Sequence, residues 1–280
     1  MKNSKSDQQI TFKSNSSFLY SFFLLPKEKR QAIYTLYAFC RQTDDIADNL
    51  ESAEKRLAKL NIWEKELKNC FSKSVSNYFI SLKQVTERFR IPIEHFLELI
   101  QGVRMDISDI RYKSFEDLKL YCYRVASTVG LMCIQIFGYR DPMIRKYAED
   151  LGIALQLTNI IRDVRTDAQL GRVYLPQDDL KKFNINEKDI LAQTYNENFY
   201  QLMKFQASRA NVFYKNASEY LPHDEQKNML VSEIMKNIYF RLLKKIEEKQ
   251  FNVFDSRIHL STSRKIYITF KTVWDVKFAE

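Results

Sequence analysis

Two groups of side chains in this chain have the types and spacing to do chemistry. Near the N-terminus, in YTLYAFCRQTDDIADNL, Tyr37, Arg41, Asp44 and Asp48 are spaced 4, 3 and 4 residues apart. On a helix that spacing gathers them within a stripe roughly 60° wide. Further on, in LGIALQLTNIIRDVRTDAQLGRVYLP, Gln156, Asn159, Asp163 and Asp167 form a second polar stripe between Leu155, Leu157, Ile160 and Ile161. A solvated face is normally rich in Lys and Glu, so amides and aspartates among branched apolar residues point inward. Two inward D-x-x-x-D pairs facing each other across a cavity suit a hard divalent cation: magnesium takes oxygen ligands at about 2.0–2.1 Å and fills its other positions with water or phosphate oxygens. Taken alone, the first group also fits a solvated helix end, but Asp44, Asp45 and Asp48 fall at the end of the helix where the dipole disfavours negative charge, so they call for a cation.

Other chemistries lack their residues. His95, His223 and His259 stand alone and are expected at the surface or in caps, which leaves no zinc-type cluster. There is no Walker loop or G-x-G-x-x-G, and no serine with a histidine partner for hydrolysis. Cys40, Cys70, Cys122 and Cys133 have no metal spacing and are expected as free thiols in a reducing, cytoplasmic setting.

Helices must position the two stripes. Five glycines and five prolines in 280 residues, with 45% apolar content, leave long periodic segments and no strand ladder, so an all-α fold is expected. Helices are predicted over about 26–49, 51–71, 76–90, 92–108, 115–138, 142–168, 197–220, 223–249 and 262–276. Ser114 with Asp117 is a capping signal for the 115–138 segment, whose apolar middle makes it central. Gly171, Pro176 and the acidic QDDL predict a break over 169–180, the expected place of an irregular lid. Residues 1–13 are expected as a disordered tail before one domain over 14–280. FLYSFFLLP is too short to span a bilayer and no run of 18 apolar residues occurs, so peripheral membrane contact is allowed and insertion is not. The net charge of +9 favours anionic partners, but the basic residues are dispersed, against nucleic acid.

At FLYSFFLLPKEKRQAIYTLYAFCRQTDDIAD, RYKSFEDLKLYCYRVASTVGLMCIQIFG and LGIALQLTNIIRDVRTDAQLGRVYLPQDDL the chain resembles the squalene and phytoene synthase family, over roughly residues 14–272. Its tail, FNVFDSRIHLSTSRKIYITF, resembles the bacterial branch that makes presqualene diphosphate for hopanoids. The resemblance implies an isoprenoid synthase fold, a single bundle of helices around a central cavity, and head-to-head condensation of two farnesyl diphosphates. It implies several magnesium ions on Asp44, Asp48, Asp163 and Asp167, with Asp45 completing the first motif and Asn159 beside the second. Arg41, Arg162 and Arg257 would touch diphosphate. Ser17, Phe18, Phe22, Tyr37, Tyr121, Val125, Ala126, Val129, Gly130, Leu155, Gln156, Asn159 and Tyr239 match positions that shape the cavity or steer the reaction. Aromatics at helical spacing are often plain core, and about half of these wall positions are expected to serve packing alone.

One departure stands in the second motif: the family's usual Gly and Glu are Arg165 and Thr166 here, with both aspartates kept. The proton released on ring closure would go to Tyr121, Tyr37, Tyr239 or the freed diphosphate. No nicotinamide motif is present, so only the first half-reaction is expected, to presqualene diphosphate. Within the enzyme class the alternatives are phytoene, dehydrosqualene or complete squalene synthesis. Outside it they are a non-catalytic helical relative and a basic binder of membranes or nucleic acid. The oily product and basic surface suit the inner face of a membrane.

Overall fold

The computed structural model describes residues 19–72, 79–108 and 111–278. The expected tail over 1–13, together with Ser17 and Phe18, lies outside them. Among the described residues there is no strand. The helices are α1 (Leu19–Phe22), α2 (Lys27–Ala47), α3 (Ala53–Phe71), α4 (Ile80–Phe89), α5 (Ile93–Ile107), α6 (Phe115–Cys122), α7 (Thr128–Phe137), α8 (Met143–Gln169), α9 (Gln177–Lys182), α10 (Glu187–Leu191), α11 (Glu197–Tyr220), α12 (Leu230–Glu248) and α13 (Thr262–Phe278). One contiguous apolar core runs through them, from Phe22 to Ile268.

Local chemistry sets the boundaries. Pro26 precedes α2, as its fixed φ allows. Ser114 and Asp117 close the expected capping box at α6: Asp117 N donates to Ser114 Oγ at 3.3 Å, and Ser114 N donates to Asp117 Oδ2 at 2.9 Å. Gly138 ends α7 at φ 77°, in the left-handed region that costs glycine no Cβ clash.

The central 115–137 helix is not continuous α. Residues Tyr123–Ser127 form one π-turn between α6 and α7, and such bulges concentrate at functional sites. Two glycines admit it. A Cβ on Gly152 of α8 would stand 2.5 Å from Ser127 Cα, and one on Gly102 of α5 would stand 2.5 Å from Val125 Cγ1. The helices on either side therefore press directly on the π-turn. By length and composition this segment could cross a membrane, yet half of its apolar window is buried inside the protein, as befits a core helix.

The segment after α8 differs from the irregular lid expected over 169–180. Only residues 170–176 lack helix. Arg111 Nη2 donates to Gly171 O at 2.7 Å, and Gln177 N donates to Tyr112 O at 2.9 Å. Asp179, from the acidic QDDL, is buried against α11, ion-paired with Arg209 and accepting from Gln206 Nε2 at 2.9 Å. The charge that marks a loop in the sequence is a buried anchor.

His95 is a second correction. It is buried in α5 rather than at the surface, and its Nε2 has no hydrogen-bond partner among the described residues. Burial, then the charge of Arg145, pushes its pKa down, so it stays neutral.

Candidate active site

α2 presents the first stripe and α8 the second, and α5 contributes a carboxylate between them that the sequence reading missed. Asp106 of α5 accepts from Tyr174 Oη at 2.8 Å and from Tyr121 Oη at 3.0 Å. Burial raises its pKa to about 6 against the pull of those two hydroxyls. Its charge is felt on both sides: it helps raise Asp44 of α2 and Asp167 of α8. Tyr112, Tyr121 and Tyr174 surround it, with ring centroids 5.3–6.1 Å apart. The signal was present in the sequence as GVRMDISDIRY, but a single aspartate near a helix end carries no spacing to mark it.

Asp44 and Asp167 are both pushed up to about 7, each foremost by burial and then by its stripe partner, Asp48 or Asp163. Asp44 is nevertheless reached by solvent. Both hold if the carboxylate opens onto a hollow enclosed by protein. The apolar wall says the same: Val125, Ala126, Val129 and Cys133 lie on the central helix at helical spacing, yet all are partly accessible, as is Leu155 of α8. Cys40 of α2 lies near enough to Asp44 and Cys133 for both to raise its thiol after burial, as the packing of α2 on α7 requires. Burial pushes the Cys133 thiol up to about 12, so it stays protonated and serves as wall.

The protein supplies cations of its own. Arg172 follows α8 and reaches Asp48 at 3.5 Å, and its charge also bears on Asp167 and Asp106. Arg56 Nη1 donates to Ala47 O at 2.6 Å, satisfying the negative end of α2. Arg41 pairs with Asp45 at 2.7 Å, and its charge also draws the Asp44 carboxyl down against burial. Asp163 is ion-paired with Arg162 and with Arg257 at 3.1 Å. Burial pushes its carboxyl up, but these two guanidinium groups outweigh burial and hold it below the ordinary range. Arg257 is thus brought from far along the chain to the second stripe. Lys265 at the start of α13 joins them: burial and the charge of Arg162 lower its pKa. Tyr239 leans on Arg162 and Asn159.

The departure from the family motif acquires a role. Arg165 Nη1 donates to Asp255 O at 2.6 Å, tying the second stripe's helix to the segment that carries Arg257.

Magnesium fits these residues on one specific observation. Asn159 Oδ1 is buried with no hydrogen-bond partner among the described residues, one turn from Asp163. An orphaned carbonyl oxygen in line with two carboxylates is a hard-cation donor set. Among the described residues no three His, Cys, Asp or Glu side chains are grouped to hold a metal ion, so magnesium here would take one or two carboxylates and draw its other ligands from phosphate oxygens and water. Of the remaining expected residues, Gln156 accepts from Asn159 Nδ2 at 3.3 Å, and Tyr37 and Gly130 are partly accessible. Phe22 is buried edge-on to Tyr34, with centroids 6.2 Å apart, and belongs to the core.

Comparison with known proteins addresses the same arrangement. The squalene/phytoene synthase family pattern matches residues 12–264. A phytoene synthase of Arthrospira platensis is 37% identical over 275 residues, covering 92% of this chain and 88% of its own. A phytoene synthase of Mycobacterium tuberculosis is 36% identical, covering 93% and 87%. Among solved structures, a dehydrosqualene synthase with bound ligand superposes with a TM-score of 0.88 at 29% identity, covering 99% of this chain and 97% of that one. The squalene synthase HpnC from Alicyclobacillus acidocaldarius superposes at 0.78 and 27% identity, covering 89% and 94%.

Proposed function

The chain belongs to the squalene/phytoene synthase family of prenyltransferases, which join prenyl diphosphates head to head, and from that premise we propose that it condenses two farnesyl diphosphates to presqualene diphosphate. The observation that carries this is the pair of carboxylate stripes, where burial and then neighbouring carboxylates raise Asp44 and Asp167 to about 7, together with the partly accessible apolar residues of the central helix and α8.

Asp44, Asp48, Asp163, Asp167 and the Asn159 carbonyl would hold magnesium, which when bound supplies the positive charge that makes diphosphate a leaving group. Arg162, Arg257 and Lys265 bind the diphosphate oxygens, Arg162 and Arg257 exchanging Asp163 for phosphate. Val125, Ala126, Val129 and Leu155 keep water from the allylic cation and hold the second chain's double bond against it. Ring closure to the cyclopropane releases one proton from carbon. Of the three candidate tyrosines, Tyr121 has a carboxylate behind it: its oxygen takes the proton while its own passes to Asp106. Diphosphate leaves with the displaced electron pair.

The C-terminal resemblance and the dehydrosqualene and squalene synthases among the similar structures support two 15-carbon chains. The phytoene synthases among the relatives favour 20-carbon substrates as the second reading. Purified protein with magnesium and either farnesyl or geranylgeranyl diphosphate, without and with NADPH, separates these by mass spectrometry. A 30-carbon diphosphate that accumulates without NADPH is expected. Turnover of geranylgeranyl diphosphate alone would overturn the 15-carbon assignment, and squalene formed with NADPH would overturn the half-reaction. We further propose a cytoplasmic setting, for which the free state of Cys40, Cys70, Cys122 and Cys133 is the support.

A further inference from the structure

The helix α13 carries a second apolar face that the fold leaves uncovered. Ile268 and Thr272 are buried, and Asn237 of α12 donates to Thr272 Oγ1 at 2.9 Å, so that side rests on α12. On the opposite side Ile266, Phe270, Trp274 and Phe278 recur at every fourth residue with Tyr267 beside them, each between 42% and 71% exposed. At 100° per residue these five occupy an arc of about 120°. Trp274 and Phe278 pack against each other with tilted rings, centroids 4.4 Å apart. Soluble monomers seldom present so continuous an aromatic strip to water.

We propose that this face of α13 lies in the interfacial layer of a membrane leaflet rich in anionic headgroups. Charge favours that occupant. The helix carries Arg264, Lys265, Lys271 and Lys277 against one acid, Asp275, and Lys271 pairs with that acid at 2.7 Å. Arg264 stands over the Tyr267 ring, 5.2 Å from its centroid, and Lys277 falls within the strip. Tyrosine and tryptophan prefer the headgroup boundary, and lysine stems can follow an apolar surface while the ammonium groups reach phosphate. A second copy of the chain would set one positive helix against another, in a protein whose net charge is already +9. Lys265, at the start of the same helix, sits by Arg162 in the site, so a leaflet under α13 would lie close to where an oily product is made. That purpose rests on the proposed function, whereas the binding does not.

Flotation of the full chain with phosphatidylcholine vesicles, and with vesicles also containing phosphatidylglycerol, tests this without substrate. The chain is expected to float with the mixed vesicles, less so at high salt, and Trp274 emission should shift to the blue. The exposed-face variant F270S/W274S should lose about tenfold or more in partitioning, with an unchanged melting curve. K271E/K277E should lose the preference for phosphatidylglycerol. Equal flotation of F270S/W274S, or no flotation with either vesicle, would overturn the proposal. So would a concentration-dependent dimer by light scattering that F270S/W274S abolishes, which would assign the face to a second copy.

Discussion

Replacing Gly152 by alanine should damage turnover far more than stability. A Cβ there would lie 2.5 Å from Ser127 Cα and 2.6 Å from Ser127 N, whereas ordinary contact begins at 3.4 Å, so backbone must move by about 0.9 Å. Ser127 ends the π-turn that holds Val125 and Ala126 at the hollow, and a displacement near 1 Å at a reacting site costs on the order of 100-fold in rate. Overpacking costs about 1–3 kcal/mol, offset by about 1 kcal/mol of helix propensity gained on leaving glycine. The net loss of about 2 kcal/mol at most leaves a domain of ordinary stability folded. Steady-state kinetics beside a thermal melt reads both. The expected result is kcat/KM down about 100-fold with the protein folded at the assay temperature. Two comparisons sharpen it. Gly102→Ala meets Val125 Cγ1 at 2.5 Å and Arg124 Cβ at 2.9 Å on the same π-turn and should be comparably damaging, whereas Gly130→Ala meets Ala148 O at 3.0 Å and should be milder. Activity of Gly152→Ala within about threefold of the parent would refute the view that the π-turn is a positioned wall.

Asp106→Asn keeps the shape but removes the charge that accepts from Tyr121 and Tyr174, each such bond being worth about 1.5–3 kcal/mol; kcat should fall at least tenfold with KM nearly unchanged, as steady-state kinetics would show. Arg165→Ala releases the 2.6 Å bond to Asp255 O that steadies the Arg257 segment, so KM for the diphosphate substrate should rise a few-fold, about what one net hydrogen bond provides. Asp44 and Asp167, raised to about 7 in the folded protein, bind protons more tightly there than in the unfolded chain. The stability they contribute is full below the ordinary carboxylate range and is lost as pH rises through about 7. In metal-free protein the melting temperature of the parent should therefore fall relative to Asp167→Asn between about pH 4 and pH 7, and magnesium should restore it at the upper end.

The helices that position the site were legible because their apolar residues recur at helical spacing; α11 runs over 197–220 as expected, and α8 differs by a single residue at each end. Both carboxylate stripes were legible for the same reason, since i, i+3 and i+4 neighbours share a face wherever the helix ends up. Asp106 was not. It joins the site because α5 packs against α2 and the π-turn, a tertiary fact with no trace in local spacing. The same holds for Arg172 and Lys265, one in a loop and one on the next-to-site face of α13. Asp179 misled in the opposite direction: its charge marks a loop in sequence, whereas Arg209 and Gln206, far along the chain on α11, make it a buried anchor. The π-turn was hidden because its residues, Tyr123–Ser127, suit an ordinary α-helix, and only the glycines of neighbouring helices give it room.

The central claim is that the two stripes act together, through shared cations, on one diphosphate. Calorimetric titration of a non-reactive farnesyl thiodiphosphate into the protein, with and without magnesium, tests it without depending on turnover. Tight binding should require magnesium and should be lost alike in Asp48→Asn on α2 and in Asp167→Asn on α8. Binding that is equally tight without magnesium, or that survives substitution of either stripe, would contradict the claim.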